Sequence, residues 1–112
     1  MSTFAPERRR SRREAIAAES WLSLPSTWPV RLLDLSLGGL AFASPFNLDP
    51  GRTAAVRTTL GREAFNGQIR VCWSHRRELA YAGESPYDIG AAFLPLDVGS
   101  RRALEQFLKV TR

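Results

Sequence analysis

Short, strand-like stretches separated by glycine- and proline-containing turns run through most of this 112-residue chain. The clearest covers residues 30–42, where leucines and other apolar residues recur until Gly38 and Gly39 interrupt them. The β-branched content typical of strands is found at residues 52–60, and the alternation typical of strands is found at residues 68–73. A further apolar stretch covers residues 89–96. Because these stretches are short and turns lie between them, we expect a small antiparallel β-barrel.

The two ends of the chain depart from this pattern. Leu104, Phe107 and Leu108 fall at helical spacing, which predicts a helix over about residues 98–110 with Ser100 as its N-cap. Residues 14–24 are compatible with a strand or with a short helix. The pair at positions 66 and 67, Asn-Gly, fits either a hairpin turn or a bulge. We therefore divide the chain into an arm, residues 1–13, and a barrel domain with its helix, residues 14–112.

Five arginines of the arm equal the whole excess of positive charge in number. The chain has 16 basic and 11 acidic side chains, a net charge of +5, and five arginines stand close together at Arg8, Arg9, Arg10, Arg12 and Arg13. Such a cluster attracts anions, and each guanidinium group can make paired hydrogen bonds with a phosphate or with the edge of a guanine. Because like charges repel, we expect the arm to be flexible until an anionic ligand orders it.

Composition disfavours several functional classes. Cys72 and His75 are the only cysteine and histidine, and no Walker loop or GxSxG pattern is present, so we predict no enzyme, no metal and no cofactor. No apolar run approaches the ~20 residues that a membrane span needs. The N-terminal residues show no signal-peptide pattern. We therefore expect a cytoplasmic protein without membrane contact.

The segment DLSLGG, residues 34–39, offers polar groups on a strand. In an extended strand Asp34 and Ser36 lie on one face, about 7 Å apart, while Leu33, Leu35 and Leu37 face the core. A carboxylate can accept the N1–H and N2–H₂ donors of guanine, and the O6 and N7 atoms of guanine accept a bidentate arginine. The arm and this strand could therefore hold a guanine from two sides. The alternative is that Asp34 and Ser36 only stabilise a turn, and that the arginines form a solvated tail.

Two motifs and two later segments of the chain together resemble a known family. Residues 9–13 fit RxxxR, residues 34–39 fit DxSxxG, and the segments IRVCW and IGAAF follow in the order of the family's later strands. In this order and spacing they resemble the PilZ domain, the bacterial receptor module for the second messenger cyclic di-GMP, from Glu7 into the terminal helix. The resemblance implies an all-β fold, a six-stranded antiparallel barrel, with one C-terminal α-helix. The ligand would lie on the outer face of the barrel under the arginine arm.

The resemblance also implies a ligand site. Arg9 and Arg13 would contact phosphates and guanine edges, although Arg8 and Arg12 also satisfy RxxxR and leave the register open. Trp73 either stacks on a guanine or packs on the barrel. The full set of predicted cyclic di-GMP contacts is Arg8, Arg9, Arg13, Asp34, Ser36 and Gly39, with Arg10, Arg12 and Trp73 as further candidates. A guanidinium at position 8 could stack on an outer guanine, so we expect two cyclic di-GMP molecules per chain.

The predicted function is that of a receptor and adaptor. Ligand binding would change the arm and the nearby surface, and the signal would pass to a protein partner that the sequence does not identify. The main alternative is a nucleic-acid-binding β-barrel with a basic arm, which the chain's lack of an RNP-like pattern disfavours. A third possibility, a barrel that binds only proteins, is disfavoured by the presence of both motifs.

Overall fold

The computed structural model describes residues 20–24, 26–78 and 85–110. These residues form six strands and one helix: β1 Ser20–Leu24, β2 Ser26–Leu35, β3 Gly39–Ser44, β4 Thr53–Leu60, β5 Glu63–Arg76, β6 Tyr87–Phe93 and α1 Val98–Val110. The strands close into a barrel in the order β1-β2-β3-β6-β5-β4, and every neighbouring pair is antiparallel. The prediction of a small β-barrel with a C-terminal helix is confirmed.

Alternation along the strands fills the interior of the barrel. In β5 the inward positions are buried from Phe65 to Val71, whereas Asn66, Gln68 and Arg70 between them are exposed. Helix α1 adds Leu104 and Leu108 to the same core. The most completely buried apolar side chains are Leu22, Leu35, Leu40, Phe42, Val56, Phe65, Ile69, Val71, Ile89, Ala91 and Leu104.

The N-cap of α1 differs from the prediction. The Asp97 carboxylate accepts a hydrogen bond from the backbone N–H of Ser100 at 2.7 Å, which makes Asp97 the N-cap and Ser100 the third residue of the first turn. Ser100 is buried, and its hydroxyl oxygen accepts a hydrogen bond from the backbone N–H of Asn66 in β5 at 3.2 Å. The serine therefore fixes the helix to the barrel, and its prediction as N-cap was wrong.

Several boundaries also differ. Asn66 and Gly67 lie inside β5 in regular register with β4, so neither a turn nor a bulge occurs there. The β4–β5 turn is formed by Gly61, with φ of 64°, and Arg62. Strand alternation predicts Leu37 in the core, but its side chain is 50% exposed because β2 ends at Leu35. The last strand begins and ends earlier than the predicted residues 89–96.

Within the described ranges, the structure contains no helix that is long and apolar enough to cross a bilayer.

Candidate functional site

One row of residues crosses four strands on the outer face of the barrel. Asp34 in β2 lies opposite Ala41 in β3, Ala41 lies opposite Gly90 in β6, and Gly90 lies opposite Trp73 in β5. Residues directly opposite each other in antiparallel strands present their side chains on the same face. Asp34 and Trp73 lie at the two ends of this row, three inter-strand spacings of about 4.8 Å apart along the curved surface of the barrel.

The two middle strands present mostly small residues near this row, with Asp88 of β6 opposite Ala43 as the exception. We define the small-residue strip as the outer face formed by Gly39, Ala41 and Ala43 of β3 and by Gly90 and Ala92 of β6. The residues that alternate with them, Leu40, Phe42, Ile89 and Ala91, belong to the core. The strip carries nothing larger than a methyl group, and we call the strands that flank it, β2 and β5, its walls.

A β-bulge lies beside the row in each wall strand. The register of β2 shifts between Leu32 and Asp34, and the register of β5 shifts between Val71 and Trp73. The extra residue in β5 is Cys72, a half-buried free thiol. A bulge changes the direction of the side chains that follow it. The residue after the bulge is Asp34 in β2 and Trp73 in β5, which are the two ends of the row.

The DLSLGG segment turns sharply after β2. The Ser36 backbone N–H donates to the Gly39 carbonyl at 2.9 Å. The Ser36 hydroxyl donates to the same carbonyl and accepts from the Gly38 N–H, both at 3.3 Å. The Gly38 carbonyl accepts the N–H of Phe93 at 2.9 Å, which attaches the turn to the end of β6. Ser36 is 0% exposed, so its hydroxyl stabilises this turn, and its direct contact with a ligand stays a prediction.

Gly39 and Gly90 are glycines for steric reasons that the structure makes clear. A Cβ atom on Gly39 would lie 2.1 Å from the carbonyl oxygen of Ala91, because β3 and β6 approach closely there. A Cβ atom on Gly90 would lie 2.1 Å from Cε2 of Trp73. The indole ring therefore packs over Gly90 on the outer face, and Trp73 remains half-buried.

An ion pair fixes the start of β6 near this face. Arg77 Nε lies 3.2 Å from Asp88 Oδ1, both side chains are about 30% exposed, and the Arg77 guanidinium also donates to the Ser85 carbonyl. Asp88 comes two residues before Gly90, so the pair holds the strand that forms one half of the small-residue strip. Sequence reasoning missed this pair, and the separation of the two residues along the chain gives no signal for it.

Asp34 is half-buried at the β2 end of the row, and the DLSLGG residues lie together at this end. The predicted contacts Arg8, Arg9, Arg10, Arg12 and Arg13 lie outside the described residues, so their positions stay predictions. Among residues 20–24, 26–78 and 85–110, no group of three or more His, Cys, Asp and Glu side chains is arranged to hold a metal ion.

Comparisons with known proteins agree on the family. The PilZ domain model matches residues 7–109. The barrel is similar in fold to the Bacillus subtilis inhibitor of motility MotI/DgrA, at 13% identity and a TM-score of 0.68, covering 84% of this chain and 46% of that one. It is also similar to the PilZ domain of Escherichia coli YcgR with c-di-GMP, at 22% identity and a TM-score of 0.64, covering 84% of this chain and 81% of that one.

A tetrameric PilZ domain protein of Xanthomonas campestris is similar at 25% identity and a TM-score of 0.54, covering 80% of this chain and 47% of that one. The chain thus spans about half the length of the Bacillus and Xanthomonas proteins. A search of curated protein sequences found no match. Because the family model covers nearly the whole chain and the fold agrees with it, this protein belongs to the PilZ domain family.

Proposed function

We propose that this chain is a non-enzymatic receptor for cyclic di-GMP, which binds on the small-residue strip between Asp34 and the Trp73 wall. The observation that carries the proposal is the row across β2, β3, β6 and β5, with a carboxylate at one end and an indole ring at the other. The PilZ domain of E. coli YcgR has the same fold, and its solved structure is one with c-di-GMP.

Each end of the row suits a different part of the ligand. The Asp34 carboxylate can accept the N1–H and N2–H₂ donors of one guanine, whereas adenine presents an acceptor at N1. The indole ring of Trp73 offers a planar surface on which a purine can stack. The arginines of RxxxR, Arg9 and Arg13, supply the charge that the phosphates require.

The arm links binding to signalling. We expect residues 1–13 to become ordered when arginines pair with the ligand's phosphates, and the new surface to be recognised by a protein partner in the cytoplasm. An Arg8 guanidinium stacked on an outer guanine would support two ligands per chain. Hydrogen exchange of the arm amides, with and without cyclic di-GMP, measures the ordering directly. Complete protection in the free protein would contradict this part of the proposal.

Calorimetric titration with cyclic di-GMP, cyclic di-AMP, GTP and a mixed oligonucleotide tests the function as a whole. Of these four ligands we expect only cyclic di-GMP to bind tightly, with two molecules per chain. In the Arg8→Leu variant we expect this stoichiometry to shift toward one. Arg9→Ala and Arg13→Ala should each weaken binding by roughly 1.5–3 kcal/mol without loss of the fold. Preferential binding of the oligonucleotide would instead support the nucleic-acid alternative.

A further inference from the structure

Arg70 lies on the same outer face as the proposed site, although neither motif includes it. Its β6 partner is Ala92, and Ala92 in turn lies opposite Gly39 of β3. This row of Arg70, Ala92 and Gly39 runs directly beside the row that ends at Trp73. Both rows cross the small-residue strip, so Arg70 belongs to the β5 wall.

The bulge at Cys72 is what brings Arg70 and Trp73 together. Residues three apart in a regular strand point to opposite faces. Here the extra residue returns Trp73 to the face that Arg70 occupies. Arg70 pairs with Ala92 of β6 and Trp73 pairs with Gly90, and these two partners are only two residues apart. That spacing places Arg70 and Trp73 about 7 Å from each other on one face.

The Arg70 guanidinium is available for a ligand. Arg70 is exposed, and in the part of the chain that the structure describes no ion pair or side-chain hydrogen bond involves its guanidinium. Its row neighbours across the strip, Ala92 and Gly39, have no side chain beyond a methyl group, so its long side chain can extend over them. Arginine keeps its charge at any relevant pH, and its planar fork matches a phosphate.

We infer that Arg70 is a phosphate-binding residue of the cyclic di-GMP site, acting from the wall opposite Asp34. This inference rests on the proposed function. In a cyclic dinucleotide the two phosphodiesters join the two nucleosides and lie between the bases. In the proposed complex one guanine lies at Asp34 and the other at Trp73. Arg70 lies one row to the side of the line that joins these two residues. The long side chain of an arginine in that place can extend over the strip toward the phosphate-containing ring.

The matched control is Arg57, an exposed arginine on β4. In the described part of the chain no ion pair involves it, and it lies opposite Trp21 and Asn66, away from the small-residue strip. Removing either arginine changes the net charge equally. A difference between the two variants therefore reports position and not overall charge.

The test is calorimetric titration of cyclic di-GMP into the wild-type chain and into Arg70→Gln, Arg70→Lys and Arg57→Gln, with thermal melts to check folding. We expect Arg70→Gln to weaken binding about 10- to 100-fold, since one charge-assisted contact is lost. Arg70→Lys should fall between the wild type and Arg70→Gln, because lysine keeps the charge but loses the paired hydrogen bonds of the guanidinium, and Arg57→Gln should stay within about twofold of wild type.

Two other outcomes would overturn the inference in distinguishable ways. Equal affinities for Arg70→Gln and Arg57→Gln, together with a loss in Asp34→Ala, would remove Arg70 from the site and leave the receptor function intact. Absence of cyclic di-GMP binding in the folded wild-type chain would refute the receptor function and this inference together.

Discussion

Gly39→Ala is the substitution whose effect the structure predicts most directly. The added methyl group would lie 2.1 Å from the carbonyl oxygen of Ala91 and 3.1 Å from the Cα of Ala92. All of these neighbours are backbone atoms of β6, so no side-chain rotation can relieve the contact. Carbon and carbonyl oxygen atoms need about 3.3 Å, and β3 and β6 would therefore have to separate locally by about 1 Å.

The magnitude follows from where this separation occurs. Gly39 pairs with Ala92 at the first residue of β3, beside the turn that Ser36 closes and next to the hydrogen bond from Phe93 to Gly38. Inserting a methyl group into a packed region costs about 1–3 kcal/mol, and a rigid backbone neighbour favours the upper end of that range. At about 4–8 °C per kcal/mol, a loss of 3 kcal/mol lowers Tm by about 12–24 °C.

Gly38→Ala is the matched control for this prediction. A Cβ atom on Gly38 would meet no atom within 4 Å, and Gly38 is not among the positive-φ glycines. Replacing such a glycine leaves stability unchanged or raises it by up to about 1 kcal/mol, because the unfolded chain loses freedom. Thermal and urea unfolding followed by circular dichroism measure both variants. Equal stability of Gly39→Ala and Gly38→Ala would refute the close approach of β3 and β6.

Three further predictions follow from single contacts. Gly90→Ala should displace the indole ring and change its fluorescence, and the same substitution in a Trp73→Ala background should be less destabilising; equal losses in both backgrounds would refute the packing of Trp73 on Gly90. Asp97→Ala should lower the free energy of unfolding by about 1 kcal/mol through loss of the helix cap, whereas an unchanged free energy in urea unfolding would refute Asp97 as the cap. Asp34→Ala should lower the ratio of cyclic di-GMP to cyclic di-AMP affinity, and an unchanged ratio in calorimetry would show that Asp34 does not read the base.

The sequence predicts the barrel well where one strand face is apolar and the other polar. The stretch at residues 68–73 alternates and lies in β5, and the stretch at residues 52–60, which is rich in β-branched residues, corresponds to β4. The sequence leaves the first part of β5 open between a turn and a bulged longer strand, because Asn66 and Gly67 are a strong local turn signal. Pairing with Arg57 and Val56 of β4 overrides that signal, since a complete ladder of backbone hydrogen bonds outweighs the preference of two residues. The true turn at Gly61 is marked by its positive φ.

The site is less accessible to sequence reasoning than the fold. Alternation from Leu33 through Leu37 predicts three inward leucines, but only Leu35 is in the core. Leu37 lies in the turn that the Ser36 hydroxyl closes, where strand periodicity no longer applies. The arrangement of Arg70 beside Trp73 could not be found from the sequence either, because their spacing of three residues predicts opposite faces.

The two bulges explain why a polar site can sit on this barrel at all. Leu32 is 3% exposed and points into the core, and a regular strand would turn Asp34, two residues later, into the same core. The extra residue in β2 gives Asp34 the opposite orientation while Leu32 and Leu35 both remain inside. A bulge is defined by the register of the partner strand, β3 for β2 and β6 for β5, so a sequence read one strand at a time cannot reveal it.

The same reasoning applies on the other wall, where Val71 is 2% exposed in the core and Trp73 lies on the outer face. A one-residue shift without a bulge would exchange the two faces along the whole strand. Because β2 and β5 are separated by β3 and β6, each wall needs its own extra residue. The carboxylate and the indole ring face the small-residue strip together only because both strands carry a bulge beside the same row.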